Sequence, residues 1–76
     1  MLNTKVIKMN RLVDIVDFVN NAASKEYIVI CKRDNYIVNA NSLMGVIGLD
    51  PSEPFAVIYD CDDTEYEEYL KQFTSE

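Results

Sequence analysis

The sequence contains no histidine and no tryptophan, and only two cysteines, two glycines and two prolines. Histidine and cysteine supply most zinc ligands, and Cys31 and Cys61 stand far apart outside any CxxC motif, so no structural zinc site is predicted. Each cysteine lies in or beside a predicted strand, and we therefore expect buried thiols without a metal or cofactor. There is also no nucleophile–base pair, no phosphate-cradling glycine loop and no cluster of metal ligands. The sequence predicts no enzyme activity.

Basic charge is scarce as well. Seven Lys and Arg residues against thirteen Asp and Glu residues give a formal net charge of −6. The basic residues are scattered, whereas binding to a nucleic-acid backbone needs them clustered, so no nucleic-acid partner is expected. Acidic side chains collect in residues 60–68, "DCDDTEYEE". Such a run is typical of the solvated start of a helix, with a surface for a basic partner as the alternative.

Long hydrophobic runs are the third absence. No stretch is long enough to span a membrane, and the N-terminus has no apolar signal-peptide core. The longest aliphatic runs, "YIVIC" and "FAVIY", have the length and composition of strands. A chain of 76 residues supports one hydrophobic core. We expect a single domain over residues 1–76 that is cytoplasmic and has no membrane partner.

Hydrophobic periodicity predicts four strands, in residues 4–9, 26–33, 36–39 and 55–60. Asp34–Asn35 tolerates a left-handed backbone and predicts a tight hairpin between the second and third strands. The first helix is expected to start at an Asn10 cap. Its predicted apolar stripe consists of Leu12, Ile15, Val16, Val19, Ala22 and Ala23.

Two further helices are predicted. A short apolar helix begins at Asn41 or Ser42 and stops before Asp50–Pro51, with Gly48 helping to end it. The last helix begins at Asp62, with Glu65 as its capping-box partner, and its apolar stripe is Tyr66, Tyr69, Leu70 and Phe73. The resulting order, β-α-β-β-α-β-α, predicts an α+β open-faced sandwich. In it, a four-stranded, mainly antiparallel sheet is covered on one face by three helices.

The stretch "VNANSLMGVIGL", residues 38–49, resembles the HPr family, the small phosphocarrier proteins of the bacterial sugar phosphotransferase system. Family members typically carry "VN-x-KS-[IL]-MGV-x-x-L" at this place. The matching residues are Val38, Asn39, Ser42, Leu43, Met44, Gly45, Val46 and Leu49. The helix end Ala22-Ala23-Ser24-Lys25 and the Asp34–Asn35 hairpin also fall where the family has counterparts. The resemblance covers nearly the whole chain, is specific over residues 36–49, and implies an HPr-like fold in a bacterial protein.

The phosphotransfer chemistry of the family does not carry over to this sequence. In the family, a histidine at the start of the first helix accepts the phosphoryl group beside an arginine. Counting back from Ser24-Lys25 places Leu12 and Asp14 at these two positions. The chain has no histidine anywhere that could take over the role. The resemblance therefore implies degenerate active-site positions and a protein unable to carry phosphohistidine. We expect Leu12 to pack with Ile15 and Val16 and to fill the phosphate site.

The short apolar helix has more apolar side chains than one face can bury. Val46 and Leu49 share the face that points into the core, and Gly45 permits close approach to a neighbouring element. Leu43, Met44 and Ile47 form a second face. We expect this face to be exposed and to bind a protein partner, as the corresponding surface does in the family. Burial of all five side chains is the alternative, and the exposed face could also be covered in a homodimer.

Ser42 matches the serine that an ATP-dependent kinase phosphorylates in Gram-positive members of the family. A class that lacks the histidine but keeps this serine also exists, the catabolite-repression HPr. A phosphate at a helix N-terminus meets free amides and the positive end of the helix dipole. Ser42 is therefore a candidate phosphorylation site in a regulatory protein. A serine here can also be only a helix cap, and the chain would then be a diverged interaction module unrelated to sugar transport.

Overall fold

A computed structural model describes residues 2–74 of the chain. The helices are α1 (Leu12–Ala23), α2 (Leu43–Gly48) and α3 (Thr64–Leu70), and a 3₁₀ turn (Lys71–Phe73) follows α3. The strands are β1 (Asn3–Ile7), β2 (Val29–Arg33), β3 (Tyr36–Asn39) and β4 (Phe55–Tyr59). This is the predicted order β-α-β-β-α-β-α.

The four strands form one sheet in the order β1-β4-β2-β3. All three strand pairs are antiparallel, and one row of the register runs Lys5↔Val57↔Cys31↔Val38. Val57 and Cys31 have no solvent exposure, because they lie on the face that the helices cover. The predicted α+β open-faced sandwich is confirmed.

Aromatic rings fill the space between the sheet and helices α1 and α3. The Phe18 ring of α1 meets the Phe55 ring of β4 edge to face, with centroids 6.2 Å apart and an interplanar angle of 82°. A second group of rings connects β4 to α3 and the 3₁₀ turn. Its members are Tyr27, Tyr59, Tyr66, Tyr69 and Phe73. Large buried rings dominate core energetics, so these two groups hold α1 and α3 on the sheet.

The buried face of α1 differs from the predicted stripe. Its buried residues are Ile15, Phe18, Val19 and Ala22. Leu12 is 63% exposed and Val16 is 37% exposed, so the expected packing of Leu12 with Ile15 and Val16 is wrong. The reason is Phe18, whose large ring turns the helix towards its own side. Val16, about 100° further round the helix than Ile15, is left at the margin, and Leu12 lies in the first turn beyond the core.

The start of α1 also differs from the prediction. The N-cap residue is Arg11, with no side-chain cap bond, and not Asn10. The guanidinium of Arg11 instead reaches the first turn, where Nε and Nη2 donate to the two carboxylate oxygens of Asp14 at 3.0 and 3.1 Å. An acidic side chain in the first turn favours the positive end of the helix dipole, which helps this helix to begin without a capping side chain.

The predicted hairpin joins β2 to β3 through Asp34 and Asn35, with Arg33 opposite Tyr36. Asp34 has φ 54°, and the non-glycine residues with positive φ among residues 2–74 are Asp34 and Asp50. A left-handed backbone strains residues that carry a Cβ, and glycine relieves that strain.

Glycine at position 34 is therefore expected to stabilise the protein. We expect Asp34→Gly to raise the free energy of unfolding by about 0.5 kcal/mol, since glycine adopts a positive φ without a steric cost. Asn35→Gly is the matched control. It should lower the free energy of unfolding by about 0.5 kcal/mol, because there glycine only adds freedom to the unfolded chain. Urea unfolding followed by circular dichroism measures both, and a loss of stability in Asp34→Gly would contradict the expectation.

Helix α3 begins one residue later than predicted, and its cap is Asp63, not Asp62. One oxygen of Asp63 accepts from the Tyr66 amide at 3.1 Å, and the other accepts from the Tyr27 hydroxyl at 2.9 Å. Lys25 Nζ lies 3.5 Å from the second oxygen. The Tyr66 amide, then the Tyr27 hydroxyl and Lys25, lower the pKa of Asp63 below its usual value. These bonds join α3 to the segment before β2, which explains why the cap falls at this residue.

Asp63→Ala, which removes the capping carboxylate, is expected to lower the urea midpoint clearly more than Asp62→Ala does. Asp62→Ala is the control, because Asp63 and not Asp62 caps α3. Since the pKa of Asp63 is lowered in the folded state, its contribution is present above the unfolded pKa of about 3.9 and is lost as the pH falls through the folded value. Asp63→Asn keeps a capping oxygen but cannot titrate. Its stability should therefore fall less than that of the wild type below about pH 4. Equal acid sensitivity in the two proteins would contradict the assignment.

The two cysteines lie in different environments. Cys31 is fully buried in β2, and burial raises the pKa of its thiol to about 12. Cys61 is only partly buried, because β4 ends at Tyr59 and Cys61 falls in the loop that follows. Both are free thiols. The expectation of a buried thiol is confirmed for Cys31 and wrong for Cys61.

Candidate functional site

Helix α2 presents two distinct faces. Val46 is fully buried and Leu49, just after the helix, is 2% exposed. On the other face, Leu43, Met44 and Ile47 are 37%, 79% and 42% exposed, and we call these three residues the α2 patch. The exposure difference is the one the sequence predicts. A contiguous group of exposed large aliphatic side chains often marks a surface where a partner binds.

The N-terminus of α2 is fixed by side-chain caps. Ser42 is the N-cap residue, with φ −102° and ψ 107°, and its Oγ accepts from the Gly45 amide at 3.1 Å. Just before it, the Asn41 amide donates to Asn39 Oδ1 at 3.1 Å. Of the two predicted starting residues, Ser42 is thus the cap. Ser42 is an exposed residue, and its hydroxyl oxygen caps the helix.

Gly45 lets α2 lie directly against β3. A Cβ placed on Gly45 would come within 3.1 Å of the Val38 Cβ and of Ser42 Oγ. That spacing is tighter than ordinary van der Waals contact, and a larger residue would push the helix away from the strand. The expected close approach at Gly45 is confirmed, and its partner is Val38. The α2 patch is therefore carried on a helix whose distance from the sheet is set by backbone packing.

The C-terminus of α2 is held by a different residue from the one predicted. Asp50, with φ 61°, takes the left-handed position that ends the helix, whereas Gly48 remains helical. Arg33 Nη1 donates to the Leu49 carbonyl at 2.9 Å and lies 3.8 Å from Asp50 Oδ2. Ser52 Oγ donates to Asp50 Oδ1 at 2.7 Å. These contacts tie the helix end to β2, so both ends of α2 are anchored.

An open groove of about 500 Å³ borders this end of α2. Its lining residues are Arg33, Asp34, Asn35, Tyr36, Gly48 and Leu49. The Tyr36 hydroxyl sits over Gly48, 2.6 Å from where a Cβ would be. The groove therefore lies between the C-terminal end of α2 and the β2–β3 hairpin. Sequence patterning missed it, because its residues come from the hairpin and from the far end of α2.

The start of α1 carries the two predicted degenerate positions. Leu12 projects into solvent, and Asp14 is held by the two hydrogen bonds from Arg11. Asp14 raises the pKa of the Arg11 guanidinium, first through the hydrogen bond and then through its charge. Because the Asp14 carboxylate already binds the Arg11 guanidinium, the start of α1 presents an ion pair and a leucine side chain. The leucine side chain has no nucleophilic atom.

Two exposed aliphatic residues of α1 were missed in the sequence. Val13 is 64% exposed and Val16 is 37% exposed, and helices α1 and α2 contact each other. Both helices therefore leave aliphatic side chains in solvent. The signal was present, since Val13 lies outside the apolar stripe of α1. A large aliphatic residue outside the apolar stripe of a helix faces solvent because of that position.

Comparison with known proteins gives one structural likeness. No protein-family model matches the sequence, and no curated protein is similar to it. Among solved structures, the crystal structure of HPr-C-His from Thermoanaerobacter tengcongensis is similar to this chain with a TM-score of 0.69 and 26% identity. The similarity covers 95% of this chain and 88% of that one. The chain has an HPr-like fold, which is the fold of small phosphocarrier proteins.

No helix within residues 2–74 combines the length and the apolarity that crossing a bilayer requires.

Proposed function

We propose that this protein is a non-catalytic, HPr-like regulatory protein that binds protein partners through the α2 patch and does not carry phosphohistidine. The observation behind the proposal is the exposure of Leu43, Met44 and Ile47 on a helix whose two ends are anchored. A preformed apolar surface binds a partner with little ordering cost. Methionine, the most exposed of the three, adapts its shape to different surfaces.

The start of α1 supports the non-carrier part of the proposal. Phosphohistidine transfer needs an imidazole, and the chain has none. The position that the resemblance assigns to the histidine holds Leu12, which is 63% exposed. Exposed Leu12 adds apolar surface at the start of α1. In this proposal the position that holds the histidine in the HPr family has become part of the surface that partners contact.

The binding proposal is tested with charge variants on two helices. We expect affinity purification of the wild type from bacterial extract to retain a partner that Met44→Asp loses by about tenfold or more, because a buried unpaired charge is costly at an interface. Asn20→Asp adds the same charge at an exposed position on α1 and should retain the partner. Equal recovery by both variants, or no partner with the wild type, would overturn the proposal.

Regulation through Ser42 is the second part of the proposal. Ser42 is exposed at the start of α2, where a phosphate would meet the free amides of the first turn. We expect one phosphoryl group in the intact mass after incubation with ATP and an HPr kinase, and none in Ser42→Ala. Incubation with phosphoenolpyruvate and the general phosphotransferase enzyme should add no mass. A gain in that reaction would overturn the non-carrier assignment.

The alternative is a diverged interaction module, unrelated to sugar transport, that uses the α2 patch without phosphorylation. Two residues favour it: the lysine that commonly precedes the serine is Asn41 here, and the basic residue of the first helix is Asp14. Because Asp14 is bound to Arg11, the start of α1 has little free positive charge to offer a phosphoserine partner. Failure of the kinase to modify Ser42, together with partner loss in Met44→Asp, would select this alternative.

A further inference from the structure

The side of the sheet that faces away from the helices is itself mostly apolar. Side chains alternate along a strand, so the neighbours of buried Val57 and Cys31 point to this side. Two cross-strand rows result from the register: Val6–Ala56–Lys32–Ile37 and Thr4–Ile58–Ile30–Asn39. We call these eight positions the open sheet face. Val6 is 50% exposed and Ile37 is 59% exposed.

The same alternation extends the apolar surface beyond the strands. Leu2 precedes β1 and Ile28 precedes β2, and these side chains are 68% and 67% exposed. An antiparallel sheet with one solvated face normally has polar residues on that face. Here β4 reads "FAVIY" and β2 continues the run "YIVIC", which are apolar on both sides. Such runs are typical of strands that are covered on both faces, and the helices cover only one.

Charge on the open sheet face is low. Lys32 is the charged residue among the eight positions, whereas the chain as a whole carries a net charge of −6. The acidic side chains of α3, Glu65, Glu67 and Glu68, belong to the helical layer on the other side. Two copies that meet through the open sheet face would keep these carboxylates apart. The Lys32 stem can lie along the apolar surface while its ammonium reaches solvent at the rim.

The size of the open sheet face is sufficient for a second copy of the chain. Four strands about 4.8 Å apart, with five residues rising about 3.3 Å each, span roughly 19 Å by 17 Å. The plane alone measures about 320 Å². The exposed side chains that stand above it and at its margins bring the accessible surface buried on each copy to roughly 500 Å², or about 1,000 Å² in total, which reaches the lower limit for a specific interface. Flat sheet faces pack on one another about 10 Å apart with interdigitated side chains, as the two sheets of a β-sandwich do.

We propose that a second copy of this chain covers the open sheet face in a symmetric, reversible dimer. The two sheets pack face to face, with Ile30 and Ile58 at the centre and Val6 and Ile37 towards the edges. The interface is isologous, because each copy contributes the same face. It lies on the opposite side of the sheet from the helical layer. Dimer formation therefore leaves the α2 patch free and is independent of partner binding there.

Sedimentation velocity of the purified wild type, from about 5 to about 500 µM, tests the dimer over the concentration range expected for a small interface. The sedimentation coefficient should rise from that of a monomer to that of a dimer. Val6→Lys combined with Ile37→Lys places two charges on exposed positions of the open sheet face. It should weaken dimer formation by about tenfold or more while the circular dichroism spectrum stays unchanged.

Met44→Lys is the matched control, because it adds the same charge on the α2 patch. Its dimer formation should equal that of the wild type. A wild type that remains monomeric at the highest concentration would overturn the proposal. So would a dimer that Met44→Lys disrupts and the double variant does not, since the interface would then be the α2 patch. Partner recovery by the double variant separates this test from that of the proposed function, since it should be unchanged.

Discussion

Replacing Phe18 with alanine is expected to lower the free energy of unfolding by about 3–5 kcal/mol. The Phe18 side chain has no solvent exposure, and its ring packs edge to face with Phe55, with centroids 6.2 Å apart. Alanine would remove this contact and leave a cavity between α1 and the sheet. Because small domains are stable by only about 5–15 kcal/mol, the loss is a large part of the total. Urea unfolding followed by far-UV circular dichroism measures it.

Leu12→Ala is the control for this experiment, since it truncates an aliphatic side chain on the same helix. Leu12 is 63% exposed, so we expect a change within about 0.5 kcal/mol. Comparing the two variants distinguishes the observed buried face of α1, which contains Phe18, from the stripe that the sequence predicts. In the predicted stripe Leu12 is buried and Phe18 is absent. A large loss in Leu12→Ala with a small loss in Phe18→Ala would show that the helix is rotated.

Truncation of Tyr66 is expected to have a similarly large effect. Tyr66 is fully buried, and its ring centroid lies 5.1 Å from that of Tyr59 and 6.0 Å from that of Tyr69. Lys25 Nζ lies 5.0 Å from the ring centroid on its face. Tyr66→Ala removes all these contacts, and we expect the free energy of unfolding to fall by about 3–5 kcal/mol.

Tyr66→Phe separates the ring from its hydroxyl. Within residues 2–74 the buried Tyr66 hydroxyl has no hydrogen-bond partner, and burial raises the pKa of the phenol. A buried polar group without a partner is destabilising, so phenylalanine should raise the free energy of unfolding by about 1 kcal/mol. Tyr69→Phe is the matched control. Its hydroxyl donates to Asp17, so the same change there should lower stability. A loss of stability in Tyr66→Phe would show that its hydroxyl is hydrogen-bonded.

Strand and helix order followed from the sequence because the apolar periods are strong and the turns carry clear signals. The Asp34–Asn35 hairpin and the strand "YIVN" fall where the pattern predicts, since a two-residue turn fixes the register on both sides. The two faces of α2 could also be separated. Val46 and Leu49 share one side of a helix too short to bury every apolar residue.

The start of α3 and the end of α2 were among the least predictable features, because each depends on a distant part of the chain. Asp62 and Asp63 are equally good caps by type, and the choice follows from Tyr27 and Lys25, which contact Asp63 from across the fold. At the end of α2, glycine is the usual choice for the left-handed position. Here Arg33 and Ser52 hold Asp50 in that conformation, and no local pattern records the contact from Arg33, which lies in β2.

The candidate site was predicted in part. Its central residues lie on one short helix, so their shared face follows from spacing alone. The additions from α1 and the groove beside Tyr36 depend on how α1 and the hairpin pack against α2. Spacing along the chain does not contain that information. The orientation of Leu12 was missed for the same reason, since the Phe18–Phe55 contact that sets it joins residues of different elements.

The strand order β1-β4-β2-β3 also determines when the sheet can be completed during synthesis. β1 stands at the end of the strand order next to β4, so Val6 pairs with Ala56 across most of the chain. β2 and β3 are neighbours in both sequence and sheet, and their pairing closes only a two-residue turn. While residues 55–59 are still inside the ribosome, β1 therefore has no neighbouring strand with which to pair. Pairings so distant in sequence are characteristic of slower-folding domains.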